Sequence, residues 1–212
     1  LCDLDGTLWD AGEGVVVSWN IALERAGRPE RVDLARIHGL MGKTMAEIAH
    51  LFFPEETQAE ADRILKDCTD EENAYLTAHG AILYPDLRET LSRLREAGYF
   101  LAIVSNCQEG YIEAFLQAHE MAAFFDDTEN FGRTGWSKGE NIRLVAERNG
   151  LDRVIYVGDT QGDYDAAQLG GAEFIHAAYG FGTVPEGTPA IACLRELPEK
   201  IYRKRNKYLR FR

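Results

Sequence analysis

Val154-Ile155-Tyr156-Val157 is apolar for four residues and then breaks into Gly158-Asp159-Thr160, with a further carboxylate at Asp163. Two other stretches end the same way. Leu1-Cys2 gives way to Asp3-Leu4-Asp5-Gly6-Thr7, and Leu101-Ala102-Ile103-Val104 gives way to Ser105-Asn106. Short, uninterrupted apolar runs between amphipathic helices are what a parallel sheet covered on both faces requires. In such a sheet ligands bind beyond the carboxyl ends of the strands, so the polar residues closing the three runs are expected to converge.

Working outward, the pattern predicts helices over 86–97, 109–119, 138–149 and 163–169, and strands over 99–104, 154–157 and 173–176. Glycines at Gly98, Gly150 and Gly170-Gly171 mark joints where a helix must end before a buried strand begins. The fold class is therefore α/β, a doubly wound parallel sheet. Residues 11–83 have a different character. Val15, Val16, Trp19, Ala22 and Leu23 follow the helical period up to Gly27, and Met45, Ile48, Ala49 and Phe52 repeat it before Pro54. A long Ala-, Glu- and Leu-rich stretch then runs over 55–78. The expected organisation is a core of 1–10 and 84–212 with a helical cap over 11–83, placed as a lid above one end of the sheet.

The 212 residues, 45% hydrophobic and 10% aromatic, suffice for one substantial core and a small second module. No apolar run approaches the roughly 20 residues of a membrane helix. Cys2, Cys68, Cys107 and Cys193 are scattered without a CxxC pair, which favours reduced thiols in a cytoplasm over zinc or disulfides. A formal charge of -12 disfavours nucleic acid as a partner and leaves a small substrate as the better fit. Lys200, Arg203, Lys204, Arg205, Lys207, Arg210 and Arg212 break the acidic pattern, and this tail is expected to be solvated and frayed.

Four converging carboxylates, Asp3, Asp5, Asp159 and Asp163, are costly to hold together without a cation. With no Cys or His among them, a hard ion such as Mg2+ is implied. Lys138, opening a helix after Ser137, supplies a positive charge for a phosphoryl group. Taken singly, Ser105 reads rather as a cap and Lys138 as a solvated charge; the spacing of the aspartates is the stronger signal.

These motifs resemble the haloacid dehalogenase-like hydrolase superfamily, in particular its phosphoglycolate phosphatase-like members with a helical cap. Asp3-Leu4-Asp5-Gly6-Thr7 is similar to the family's DxDGT signature, Ser105 to its second motif, Lys138 to its third, and Gly158-Asp159 through Asp163 to its fourth. The resemblance implies a magnesium-dependent phosphatase acting on a small phosphorylated metabolite, with Asp3 as nucleophile and Asp5 as general acid and base. Ser105 and Lys138 would hold phosphoryl oxygens. The Asp3 carboxylate, the Asp5 main-chain carbonyl and Asp159 would ligate the metal, with Asp163 as ligand or orienter. Substrate contacts are expected from Thr7, Asn106, and Lys43 and Thr44 in the turn at 41–45. Trp9 and Trp19 are candidates for the cavity wall or for core packing, Cys107 reads as a buried small hydrophobe, and no histidine is assigned to chemistry.

Asp5 disfavours a dehalogenase, which lacks the second aspartate. Met45 disfavours a phosphonate hydrolase, which carries a lysine at that place, and also a sugar phosphomutase, which usually carries an arginine there. The phosphomutase stays the nearest alternative, followed by a non-catalytic binding module. Lys138 is followed by Gly139-Glu140-Asn141 where the family often has proline. Asp3 has only two residues ahead of it where a central strand usually holds about five or six, so further apolar residues are expected upstream.

Overall fold

The structure, a computed structural model, describes residues 1–209. After Asp3 the chain turns at Gly6 and enters a short antiparallel pair, β1 (Trp9–Asp10) with β2 (Ile82–Leu83), in which Trp9 faces Leu83 and Asp10 faces Ile82. Four helices fill the interval: α1 (Gly12–Arg25), α2 (Leu34–His38), α3 (Met45–Phe52) and α4 (Gln58–His79). Helix α1 buries Val15, Trp19, Ala22 and Leu23, and α4 answers with Ala61, Ile64, Leu65, Cys68 and Leu76, each set at helical spacing along one face. Thr57 caps α4 by accepting from Glu60 N, and Thr44 with Glu47 forms a capping box on α3.

The chain then alternates. Helix α5 (Leu87–Glu96) leads to β3 (Ala102–Ser105), α6 (Tyr111–Ala118) to β4 (Asp127–Asn130), and α7 (Phe131–Thr134) and α8 (Lys138–Arg148) to β5 (Ile155–Gly158). Helix α9 (Gln161–Gly170) leads to β6 (Glu173–Ala177), and β7 (Ala190–Ile191) precedes α10 (Leu197–Leu209). Strand β3 pairs with β4, β5 with β6, and β6 with β7, all in parallel. Cys2 bridges Ile103 on one side and Val157 on the other, with Cys2 N donating to Ala102 O at 2.9 Å and Asp3 N to Val157 O at 2.8 Å. The opening residues thus join the two halves, giving the order β4, β3, residues 1–3, β5, β6, β7.

Side-chain alternation explains why both faces are covered. Ala102 and Val104 of β3 join Tyr156, Phe174, Ile142, Val145 and Ala167 in one buried cluster. Ile103, between them, points into the other, with Val157, Ile175, Leu91, Leu94, Ile112 and Phe115. This is the expected doubly wound α/β sheet.

Several elements depart from expectation. The strand predicted over 99–104 begins only at Ala102, because Tyr99 N still donates to Leu94 O at the end of α5. Strands β4 and β7, the β1–β2 pair and the short α7 were not anticipated. Strand β4, Asp127-Thr128-Glu129-Asn130, has no apolar residue; it borders the sheet, and its acids are held by Arg148, whose Nε lies 2.7 Å from Asp127 Oδ2 and whose Nη1 lies 2.5 Å from Glu129 Oε2. The basic tail does not begin as a frayed terminus. Lys200 and Arg203 lie in α10, whose first turns bury Leu197 and Ile201 near α5, and Tyr202 OH donates to Arg93 O. Arg210 and Arg212 lie outside the described residues.

Candidate active site

Each site residue is delivered by the end of a strand or the start of a helix. Asp3 closes the central segment, and Gly6, at φ +73°, turns the chain back beside Asp159, where a Cβ would collide with the Asp159 carboxylate. Asp159 follows β5 directly. Thr160 caps α9 through a capping box with Asp163, which fixes Asp163 in the first helical turn. Gly158 leaves the space that the Asp163 side chain occupies. Ser137 and Glu140 form the corresponding box on α8, so Lys138 becomes its first residue. The three polar strand ends converge, as expected of a parallel sheet.

Lys138 Nζ lies 2.6 Å from Asp163 Oδ1 and 3.1 Å from Asp3 Oδ2, with all three side chains buried. Burial works against the ammonium, but the Asp163 and Asp3 carboxylates outweigh it and its pKa is raised. Burial likewise opposes ionisation of Asp163, but Lys138 and the hydrogen bonds from Thr160 outweigh it and its pKa is lowered. Its Oδ2 accepts from Asp159 N, Thr160 N and Thr160 Oγ1. Both Asp163 oxygens are therefore engaged, which makes it an anchor for Lys138.

Asp3 and Asp159 are in the opposite condition. Burial, then repulsion from Asp163, raises the Asp3 pKa, and the same two causes push Asp159 up to about 7. Asp159 Oδ2 accepts from Phe181 N at 2.7 Å, but Asp159 Oδ1 and Asp3 Oδ1 are buried without a hydrogen-bond partner among the described residues. Oxygens of Asp3, Asp159 and Asp163 lie within 4.8 Å of one another. Unpartnered buried carboxylate oxygens, with no sulfur or imidazole among the clustered donors, fit a hard divalent cation such as Mg2+.

Asp5 stands apart from this cluster. Its Oδ1 accepts from Tyr111 OH at 2.8 Å and from Trp9 Nε1 at 3.0 Å. Burial pushes its pKa up to about 7, although the Tyr111 hydrogen bond favours the charged form. A carboxyl group poised there gives and takes a proton near neutrality. Trp9 is thus a fully buried support of Asp5, wedged edge-on against Tyr111 and Phe115, whereas Trp19 lines the cavity.

A cavity of about 60 Å³ opens over Asp3 and Asp5, floored by Ser105, Asn106, Gln108 and Tyr111. Its far wall comes from α1 to α4 and includes Lys43, Met45 and Glu72. Asn106 reaches across it, Nδ2 donating to Gly42 O at 2.9 Å, while its Oδ1 is buried and has no partner among the described residues. Thr7 is fully buried; its Oγ1 has no partner among the described residues, and it does not line the cavity. Thr44 also does not line the cavity: its hydroxyl is taken up in the α3 capping box with Glu47. The structure thus does not bring Thr44, expected as a substrate contact, to the cavity.

Tyr111, Glu72 and Gln108 were not anticipated in the site. Nothing local in the sequence ties Tyr111 to Asp5, 106 positions away. Glu72 did leave a signal, being an acid in register with the apolar stripe Ile64, Leu65, Cys68 and Leu76 of α4.

The family model for haloacid dehalogenase-like hydrolases matches residues 1–177. Among curated proteins, the phosphoglycolate phosphatase of Salmonella typhimurium is 27% identical over 84% of this chain and 80% of its own length. Among solved structures, a Bacteroides fragilis protein described as a haloacid dehalogenase-like hydrolase superposes with a TM-score of 0.79 at 26% identity, covering 92% of this chain and 97% of that one. A haloacid dehalogenase-like family hydrolase of Streptococcus pneumoniae has the same fold, with a TM-score of 0.79 at 20% identity over 94% of this chain and 96% of the other. Matched along most of its length and in its fold, the chain belongs to the haloacid dehalogenase-like hydrolase family.

Proposed function

We propose that the protein is a magnesium-dependent phosphatase that hydrolyses small phosphate monoesters through a phosphorylated Asp3. The observation that carries this reading is the asymmetry of the Asp3 carboxylate. Oδ2 is tied to Lys138 at 3.1 Å, while Oδ1 is buried without a partner in a residue that lines the cavity. An oxygen so held is a positioned nucleophile.

In the first step Asp3 attacks phosphorus and the ester P–O bond breaks, the leaving oxygen taking the proton of Asp5. In the second, Asp5 as carboxylate takes a proton from water as that water attacks the phosphorus, releasing inorganic phosphate and restoring Asp3. Lys138 and Ser105 hold the phosphoryl oxygens, and Asp163 keeps Lys138 in place. Asp3, Asp159 and the Asp5 main-chain carbonyl would hold the Mg2+. When bound, the ion neutralises the carboxylates and the phosphoryl group and fixes their mutual orientation.

Helices α1–α4 serve as the cap, a role supported by the cavity wall they supply and by the Asn106 contact to Gly42. Lys43 meets substrate from that side. No helix among the described residues is long and apolar enough to cross a membrane. The four cysteines are unpaired, which supports a reducing compartment such as the cytoplasm. The test is phosphate release from p-nitrophenyl phosphate with and without Mg2+. Wild-type protein should turn over only with the ion, and Asp3→Asn should retain less than about 1% of that rate. Substantial turnover by a purified, folded Asp3→Asn protein would remove Asp3 from the nucleophile's role.

A further inference from the structure

The wall of the cavity opposite Asp3 is mostly apolar, formed by Val15, Trp19, Ile37, Leu40, Met41 and Ile48. Besides Asp3 and Asp5, its only charged lining residues among those described are Lys43 and Glu72. They differ in exposure. Lys43 lies partly exposed in the turn between α2 and α3, where solvent screens it. Glu72 sits in the middle of α4 at 5% relative exposure.

Glu72 has only neutral partners. Trp19 Nε1 donates to its Oε2, and Gln108 Nε2 donates to its Oε1 at 3.2 Å. Gln108 is itself oriented by Asn73, whose Oδ1 accepts from the same amide at 3.1 Å. No Lys, Arg or His forms an ion pair with Glu72 among the described residues. Each oxygen therefore has one hydrogen bond and capacity for another, inside an apolar wall where an unmatched acid is costly.

We propose that Glu72 selects the leaving group of the substrate, accepting a hydrogen bond from a terminal donor, hydroxyl or ammonium, and rejecting leaving groups that end in a carboxylate. This deepens the phosphatase reading and rests on it for turnover. With the phosphoryl group at Asp3, Ser105 and Lys138, the remainder of the ester extends towards the wall that contains Glu72. Where Glu72 is ionised, above about pH 7, a carboxylate there meets a second negative charge in a water-poor space, where like charges repel strongly. A donor would instead complete the bonding of Glu72. Burial pushes the Glu72 pKa up to about 7, so an ammonium also gains by restoring its charge. By this argument phosphoglycolate, the compound named in the Salmonella relative, is a poor substrate for this chain.

Three esters of similar length test the idea: 2-aminoethyl phosphate, 2-hydroxyethyl phosphate and phosphoglycolate. At pH 8, where Glu72 is ionised, the kcat/KM of one or both donor-ended esters in wild-type protein with Mg2+ should exceed that of phosphoglycolate by about 100-fold, and their order tells ammonium from hydroxyl. In Glu72→Gln the ratio should fall towards one, mainly through KM. Calorimetric binding of the same esters to the non-turning Asp3→Asn protein should follow the same order, which separates the two proposals. Donor-ended esters bound preferentially but never hydrolysed by wild type would support Glu72's role and sink the phosphatase. Phosphoglycolate hydrolysed as well as the others would sink Glu72's role and keep the phosphatase. Binding of none of the three, or an unchanged ratio in folded Glu72→Gln, also overturns the inference.

Discussion

Glu72 also gives the protein a pH signature of its own. Burial raises its pKa from the ordinary 4.5 to about 7 in the folded chain. Between those values the folded protein holds a proton that the unfolded chain has lost, so stability falls as pH rises through the window. The contribution is complete below about pH 4.5 and absent above about pH 7, with a size on the order of 3 kcal/mol. Glu72→Gln should erase it: urea unfolding at pH 8 should show the variant more stable than wild type, with the gap closing towards pH 5. An equal gap at both pH values would assign the effect to something other than ionisation. At this scale the sequence was uneven as a guide. Asp3, Asp159 and Ser105 were legible because they interrupt apolar runs at strand ends. Tyr111 and Gln108 act through contacts that only folding creates, and Thr44 shows a hydroxyl whose local capping partner, Glu47, claims it before any ligand does.

Among the elements, α9 has the closest tie to the chemistry, because the capping box that starts it also holds Asp163. Thr160 Oγ1 donates to Asp163 Oδ2 at 2.7 Å and accepts from Asp163 N at 3.2 Å. Thr160→Val keeps the shape and loses both bonds. It should lower stability by about 1 kcal/mol, read as a lower urea midpoint at unchanged slope. Activity should fall with it, since Asp163 would hold Lys138 less firmly; full activity would show that Lys138 keeps its place without this cap. Most elements were legible from periodicity, including α1, α3, α4, α8 and β6, because each buries a stripe or run that the sequence displays. Strand β4 was not, since it has no apolar residue, its acids are taken up by arginines and its reason for being a strand lies in its neighbour β3. The start of α10 was hidden similarly: Leu197 and Ile201 are two apolar residues beside many cations, and only the surface they cover near α5 gives them meaning.

For the molecule as a whole, the unmet carboxylates at the sheet edge mean that folding and metal binding are coupled. Burial and mutual repulsion hold Asp3 and Asp159 at raised pKa, a strain that a bound cation relieves. Mg2+ at about 100 times its dissociation constant should add about 2.7 kcal/mol, or about 5–10 °C in Tm for a chain of this size. A chelator should reverse the shift, and Asp159→Asn should lose most of it. A Tm indifferent to Mg2+ in wild type would argue against the metal site. The pairing of Asp10 with Ile82 in β1 and β2 has a consequence for descent. The chain departs for α1–α4 and returns from them at adjacent points, so a change in the length of the excursion leaves its two ends where they are. Its freedom to vary is bounded on the other side, because α4 also packs on α6, and any sequence inherited there must go on filling that face.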